Sequence, residues 1–176
     1  MRNKKVLFMT QAAVIAALYV VLTVLLAPIS FREVQVRVSE MLTVLPFFTP
    51  AAVPGLFIGC IIANILGGAI PLDIVCGSLA TLAGACGTFL AGKAVGRKGA
   101  SSFGTRLLAT LPPVIANTIV VPLVLYYGYG VNLPIPLQML TVGTGEVISC
   151  CVLGSILMAV LDKYKSQIFR TAEVKA

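Results

Sequence analysis

Glu146 stands in the string Thr144-Gly145-Glu146-Val147, well inside an apolar run. It lies eight or nine residues from that run's outer end, roughly 13 Å deep at about 1.5 Å per residue. A charged group placed in hydrocarbon costs about 2.5–3.5 kcal/mol on insertion scales, so its presence needs a reason. Two readings stand beside each other: an acid kept neutral and hydrogen-bonded inside a helix bundle, and a contact for a ligand or ion. Asp73 opens another apolar run, where a carboxylate either caps the positive end of a helix dipole or touches a ligand. Glu40 follows Arg37 by three residues, the spacing of a helical ion pair and equally of a second ligand-facing acid. Asn64 and Asn117 lie within apolar runs, where amides glue helices together or bind a ligand. Gln138 begins the last apolar run and has a weaker claim. Paired carboxylates with amides suit a neutral or cationic molecule rich in N–H donors, and suit a phosphate or carboxylate poorly.

The same composition excludes other chemistries. The chain has no histidine and no CxxC, and Cys60, Cys76, Cys86, Cys150 and Cys151 lie in or at the ends of apolar runs. They read as small packing residues, not as a disulfide framework or metal site. No catalytic residues, cofactor or metal site are expected: no nucleophile–base pair is visible, and there is no GxxxxGK[ST] phosphate loop to power anything.

What must position these residues is a set of membrane helices. Of the 176 residues 59% are hydrophobic and 11% charged, with a mean hydropathy of +1.02. A soluble domain carries about 25% charged residues, so lipid is the solvent for much of this surface. The chain is expected to be a single domain over residues 1–176, all-α, a bundle of six transmembrane helices. Helix 1 runs from about Val6 to Ala27 and stops at Pro28. Helix 2 covers about Val38 to Phe48, and helix 3 about Ala51 to Gly67. Helix 4 covers Pro71 to about Val95, helix 5 about Thr105 to Tyr127, and helix 6 about Leu137 to Leu161. Helices 2 and 3 are short enough to be half-buried or re-entrant. Pro112-Pro113 is expected to break helix 5 just before Asn117 and free backbone carbonyls for a ligand or neighbour. The first apolar run is too long for a signal-peptide core of about 7–15 residues and reads as a retained span.

Net charge is +7, and the basic residues cluster at Arg2–Lys5, at Lys93–Arg106, and after Asp162. Six spans put all three clusters on one side, and the positive-inside rule makes that side cytoplasmic, with both termini. The chain is therefore expected to be a multi-pass membrane protein, and nucleic acid is not expected as a partner. Glu40, Asp73, Gln138 and Asn64 then occupy the outer half, while Glu146 and Asn117 lie nearer the midplane. Together they could line one cavity that opens outward.

Helix 1 carries two small-xxx-small pairs, Ala12/Ala16 and Ala13/Ala17, a flat stripe that lets another helix approach. With the six-helix size and the polar stretch after helix 1, it resembles the S components of energy-coupling-factor (ECF) transporters. More narrowly, the chain resembles the queuosine-precursor transporter (QueT) family. The strings that carry the likeness are Leu26-Ala27-Pro28-Ile29-Ser30, Val36-Arg37-Val38-Ser39-Glu40, Leu45-Pro46-Phe47-Phe48-Thr49-Pro50-Ala51-Ala52 and Pro54-Gly55-Leu56-Phe57-Ile58-Gly59-Cys60. Asp73-Ile74-Val75-Cys76-Gly77-Ser78-Leu79-Ala80-Thr81, Leu111-Pro112-Pro113 with Asn117, and Gly145-Glu146 extend it to helix 6.

The resemblance implies capture of a 7-deazaguanine, the precursor of the tRNA nucleoside queuosine, for ATP-driven uptake. It implies three partners besides lipid: a transmembrane coupling (T) protein and two cytoplasmic ATPases. On that reading Glu146 and Asp73 are the principal ligand contacts, with Glu40, Asn117, Asn64, Gln138 and Arg37 supporting them. Ala12, Ala13, Ala16 and Ala17 form the partner face. Tyr19, Phe31, Phe47 and Phe57 are candidates to stack on the ring, and Ile29–Glu40 would act as a lid. The alternatives are an S component for another vitamin and a stand-alone small-solute carrier.

Overall fold

The computed structural model describes residues 4–26, 37–96 and 102–168. Six helices follow in order: α1 (Lys4–Leu25), the 3₁₀ helix α2 (Val38–Phe47), α3 (Ala52–Leu66), α4 (Pro71–Val95), α5 (Phe103–Tyr127) and α6. The last is one continuous rod built of Ile135–Glu146, a wider π-helical stretch Val147–Leu153, and Gly154–Ile168. The all-α bundle expected from the sequence is therefore present. α1, α4, α5 and the Ile135–Tyr164 part of α6 are long and apolar enough to cross a membrane. The 15 residues of α3 extend about 22 Å at 1.5 Å each, less than the hydrocarbon thickness of about 30 Å. The 10 residues of α2 cover about 20 Å at 2.0 Å each. Eight of them, from Ser39 to Phe47 with Met41 omitted, are buried, so α2 is an interior element rather than a lipid-facing one. The stretch that holds Phe31, Arg32 and Glu33, most of the expected lid, lies outside the described residues.

Specific contacts fix the direction of each helix. Tyr19 meets Glu40, and Gln11 meets Thr49, so α1 and α2 are antiparallel. Ala12 and Ala16 lie on Gly55 and Gly59, so α1 and α3 run parallel. Thr81 reaches Cys60 and Gly77 lies on Asn64, which makes α3 and α4 antiparallel. Asn117 bonds Glu146 and Thr110 bonds Cys151, so α5 and α6 are antiparallel. The six helices of the described residues thus alternate in direction. The basic residues Lys4, Lys5, Lys93, Arg106 and Lys163 accordingly fall at one end of the bundle, with Arg37, Asp73 and the 128–134 connection at the other.

Small residues set how closely the helices approach, because lipid tails give apolar side chains little reason to leave them. A Cβ at Gly55 would lie 2.7 Å from the Ala12 carbonyl oxygen. The alanine stripe of α1 thus divides: Ala16 is buried and Ala12 half-buried against α3, whereas Ala13 and Ala17 are exposed. The seam between α4 and α5 is tighter still, with the Cβ positions of Gly84 and Gly87 2.6 and 2.5 Å from Pro113 and Pro112.

Those prolines do not break α5, contrary to the sequence expectation; the helix runs through Pro112, Pro113 and Pro122. A proline inside a helix deprives the carbonyl four residues earlier of its N–H. For Pro113 that carbonyl is Ala109, and the Thr88 hydroxyl of α4 donates to it at 2.7 Å. The freed carbonyl is thus taken by a neighbouring helix, and the glycines of α4 make room for the rings. Gly84→Val should cost about 1–3 kcal/mol through overpacking, seen as a lower thermal midpoint of the detergent-purified protein. An unchanged midpoint would mean that the seam is looser than this.

Candidate functional site

Glu40 and Glu146 meet at the middle of the bundle. Glu40 is fully buried near the start of α2 and Glu146 is 5% exposed. One carboxylate oxygen of each and the Cys150 sulfur all lie within 4.8 Å of one another. Donors come from other helices and from α6 itself. The Tyr19 hydroxyl of α1 donates to Glu40 Oε1. Asn117 Nδ2 of α5 donates to Glu146 Oε1 at 3.1 Å and is also in range of the Glu40 carboxylate. The Cys150 thiol donates to Glu146 Oε2 at 3.3 Å. Thr43 Oγ1 donates to the Glu40 carbonyl at 2.6 Å and lies 3.6 Å from Cys150 Sγ. Glu146 ends the regular part of α6, and the π-helical turn begins at the next residue. Such π turns concentrate at functional sites.

Asp73 and Asn64 form a second cluster toward the end of the bundle that holds the 128–134 connection. Gly77 lies between them: its Cβ position is 3.0 Å from Asp73 Oδ1 and 3.5 Å from Asn64 Nδ2. The Tyr129 hydroxyl donates to Asp73 Oδ2 at 3.0 Å and accepts the Ile70 N–H at 3.3 Å. Burial pushes the Tyr129 phenol above its ordinary range, the Ile70 N–H draws it partly back, and Asp73 pushes it further up. It therefore stays a donor at neutral pH. Asn64 Nδ2 is 3.6 Å and Thr81 Oγ1 3.4 Å from Cys60 Sγ; Tyr19 is also within hydrogen-bond range of that sulfur. Cys60 and Tyr19 thus join the two clusters into one buried polar path. Arg37, 6% exposed, lies within electrostatic range of Glu40, Asp73 and Glu146.

Gln138 takes a different position. Its Nε2 donates to the Val131 and Leu133 carbonyls at 3.2 and 2.7 Å, so it ties the 128–134 connection onto α6. Of the stacking candidates, Tyr19 is a hydrogen-bond donor to Glu40. Phe47 is buried against Phe48 and Gly92 at the far end of α2, and Phe57 is half-buried. Tyr129 and the role of Cys150 were missed by sequence reasoning. Cys150 carried one usable signal, its position four residues after Glu146, on the same helical face.

Several buried side-chain atoms lack a hydrogen-bond partner. Among them are the acceptors Glu40 Oε2 and Asn64 Oδ1 on the path, Gln138 Oε1 away from it, and the hydroxyls of Ser78, Thr118 and Ser149. Each orphaned polar group costs about 1–3 kcal/mol.

Residues 9–163 match the family model described as QueT transporter. The chain belongs to the QueT transporter family. That match runs from α1 into α6 and contains every residue of the buried polar path. The family is described as one of transporters, and the four long apolar helices among the described residues agree with a membrane protein. It is 39% identical over 84 residues to the queuosine precursor transporter QueT of Lactococcus lactis subsp. cremoris (strain MG1363), over 47% of this chain and 49% of that one. The chain thus spans about half the length of the curated relative it matches. No solved structure matches it.

Tyr19→Phe removes the donor to a fully buried carboxylate and should destabilise the QueT chain by about 1–3 kcal/mol. Thermal unfolding of the purified variant in detergent reads this; a midpoint equal to the parent's would show that the contact contributes nothing.

Proposed function

We propose that this chain is the substrate-binding membrane subunit of an ECF-type ABC transporter. It captures a queuosine precursor, a 7-deazaguanine such as 7-aminomethyl-7-deazaguanine or queuine. One observation carries the reading: a chain of the QueT transporter family holds three buried acceptor oxygens, on Glu40, Asn64 and Gln138, without donors. A deazaguanine presents adjacent N–H donors on its pairing edge, which a carboxylate accepts in bidentate fashion. The name of the Lactococcus lactis relative, a queuosine precursor transporter, supports the same ligand class. Glu146, Asp73, Glu40, Asn117, Asn64, Gln138 and Arg37 are the proposed binding residues. Glu146 has Asn117 as its donor and Asp73 has Tyr129, so ligand N–H groups would add to these bonds.

The rest of the machinery is what the resemblance to ECF S components implies. With no phosphate-binding loop in the sequence, energy comes from two cytoplasmic ATPases through a transmembrane T protein. The basic end of the bundle, with both termini, faces the cytoplasm under the positive-inside rule. Ala13 and Ala17 are exposed on α1 and offer a flat face to the T protein, backed by Ala12 and Ala16 packed on α3.

Isothermal calorimetry against deazaguanines and a panel of vitamins tests the substrate. Binding of a vitamin with no response to any deazapurine would reject it. Glu146→Gln should weaken deazaguanine binding more than tenfold, about the worth of one charge-assisted hydrogen bond. An unchanged Kd would take Glu146 out of the site. Replacing both Ala13 and Ala17 by Trp should abolish uptake in cells and leave ligand binding intact. Uptake that survives both changes would place the docking face elsewhere.

A further inference from the structure

We propose that the outer half of the α5–α6 hairpin is the door to the buried polar path and that Tyr129 is its latch. The inference rests on the function proposed above and names the route by which that ligand enters and leaves. Its first support is how the apolar interior divides. Among the described residues the buried apolar side chains form two separate clusters. The larger joins α1, α2, α3 and the inner halves of α4, α5 and α6. The smaller consists of Val121, Leu125 and Val142, with Val131 packed against them. All four belong to the hairpin beyond Asn117 and Glu146, so this part carries a core of its own. The connection is tied to the same unit. The Tyr129 and Val131 N–H groups donate to the Val124 and Leu125 carbonyls at 3.2 and 3.1 Å, and Gln138 holds the Val131 and Leu133 carbonyls. Helix ends and connection therefore move together.

Bending points lie at the inner limit of this unit. Pro122 deprives the Thr118 carbonyl of its helical N–H, and the Thr118 hydroxyl is buried without a partner. On the other helix the π-helical stretch Val147–Leu153 begins directly inside Glu146. Prolines and π turns are places where helices bend. The polar tie across to the α3–α4 turn is Tyr129. Its ring is 42% exposed, yet its hydroxyl ends on Asp73, which is 4% exposed, and accepts the Ile70 N–H. Tyr129 thus stands where solvent meets the path. Breaking the latch strands no group. Water reaches the phenol and the Ile70 N–H, and Arg37 lies within electrostatic range of Asp73. Beside the latch Ile70 and Leu72 rest on Gly128, whose lack of a side chain gives them a smooth surface to slide over.

The test compares the full chain with Tyr129→Phe, which keeps the ring and removes the hydroxyl. Surface plasmon resonance on the protein in nanodiscs follows 7-aminomethyl-7-deazaguanine. Association and dissociation should both be roughly tenfold faster in the variant, the scale of one hydrogen bond to a carboxylate, with Kd changed less than about threefold. Unchanged rates would overturn the inference. So would faster dissociation alone, which would make Tyr129 a support of the bound ligand and not a latch. Cys60 gives a reading without any ligand, because it is wholly buried on the path beside Asn64 and Thr81. A small water-soluble methanethiosulfonate should label it roughly tenfold faster in the variant, read site by site by mass spectrometry. Cys150, inside the bending point, should keep the parent's rate. Equal acceleration at both cysteines would mean a general loosening and would overturn the latch. If the parent binds no deazaguanine, the proposed function falls, and the Cys60 rate alone decides whether the door exists.

Discussion

An acid buried in an apolar bundle must be met by donors, and this requirement arranges the molecule. Glu40 and Glu146 come from α2 and α6, and their donors come from α1, α5 and α6 itself. The need for partners outweighs what these helices would do separately in lipid, where polar contacts between helices contribute about 0.6–2 kcal/mol each. It also accounts for α2. A 10-residue 3₁₀ helix is too short to cross a membrane and would be a poor element by itself, because its hydrogen-bond geometry is weaker than that of an α-helix. It persists because its polar end is held by Tyr19 and by Thr23 through Ser39. Its apolar end, Leu45 to Phe48, forms part of the core.

Close packing makes such reach possible. The Tyr19 hydroxyl can meet Glu40 only if α1 lies tightly against its neighbours, and the Ala12/Ala16 and Gly55/Gly59 seam provides that approach. The α4–α5 seam does the same for the other side. There glycine faces proline, and Thr88 supplies the hydrogen bond that Pro113 removes from Ala109. A local defect in one helix is thereby corrected by a side chain of another. That is how membrane proteins keep proline-containing helices intact. The outward faces need no such matching: Val14, Leu18, Ile58, Leu79, Ile115 and Ile156 are exposed, as residues that meet lipid are.

Particular residues show what the sequence discloses and where it stops. The ends of α4 are legible to the residue, because Pro71 at its first position and Gly96 after it, at φ 69°, are strong start and stop signals. The membrane character of the chain and the odd placement of Glu146, Asp73 and Glu40 are also legible, since charge in an apolar run is conspicuous. Pro112-Pro113 misleads, because a proline's effect depends on whether a neighbour can serve the orphaned carbonyl, and that neighbour, Thr88, is remote in sequence. Tyr129 misses notice for a similar reason: in a Gly- and Asn-rich connection it reads as a loop aromatic until folding sets it on Asp73. The division of the alanine stripe is likewise invisible, since small residues at both faces of one helix look alike until a partner covers one of them.

The unmet buried acceptors have a consequence for how the bundle holds together. Acceptors on Glu40, Asn64 and Gln138 come from three different helices, so each is desolvated by folding without return. On the proposed function, a nitrogen-rich ligand supplies the missing donors, and its binding energy is then also bundle stability. At a concentration of 100 times Kd such a ligand adds about 2.7 kcal/mol to the folded state. A preformed site with every acceptor satisfied would give the ligand nothing to replace, and it would bind only by filling space. Leaving acceptors short of partners sacrifices stability in the empty protein and concentrates recognition in hydrogen bonds that form only when the right molecule arrives. A molecule of similar shape without those N–H groups leaves the same oxygens buried and unpaired, and that penalty, more than any attraction, is what discriminates against it.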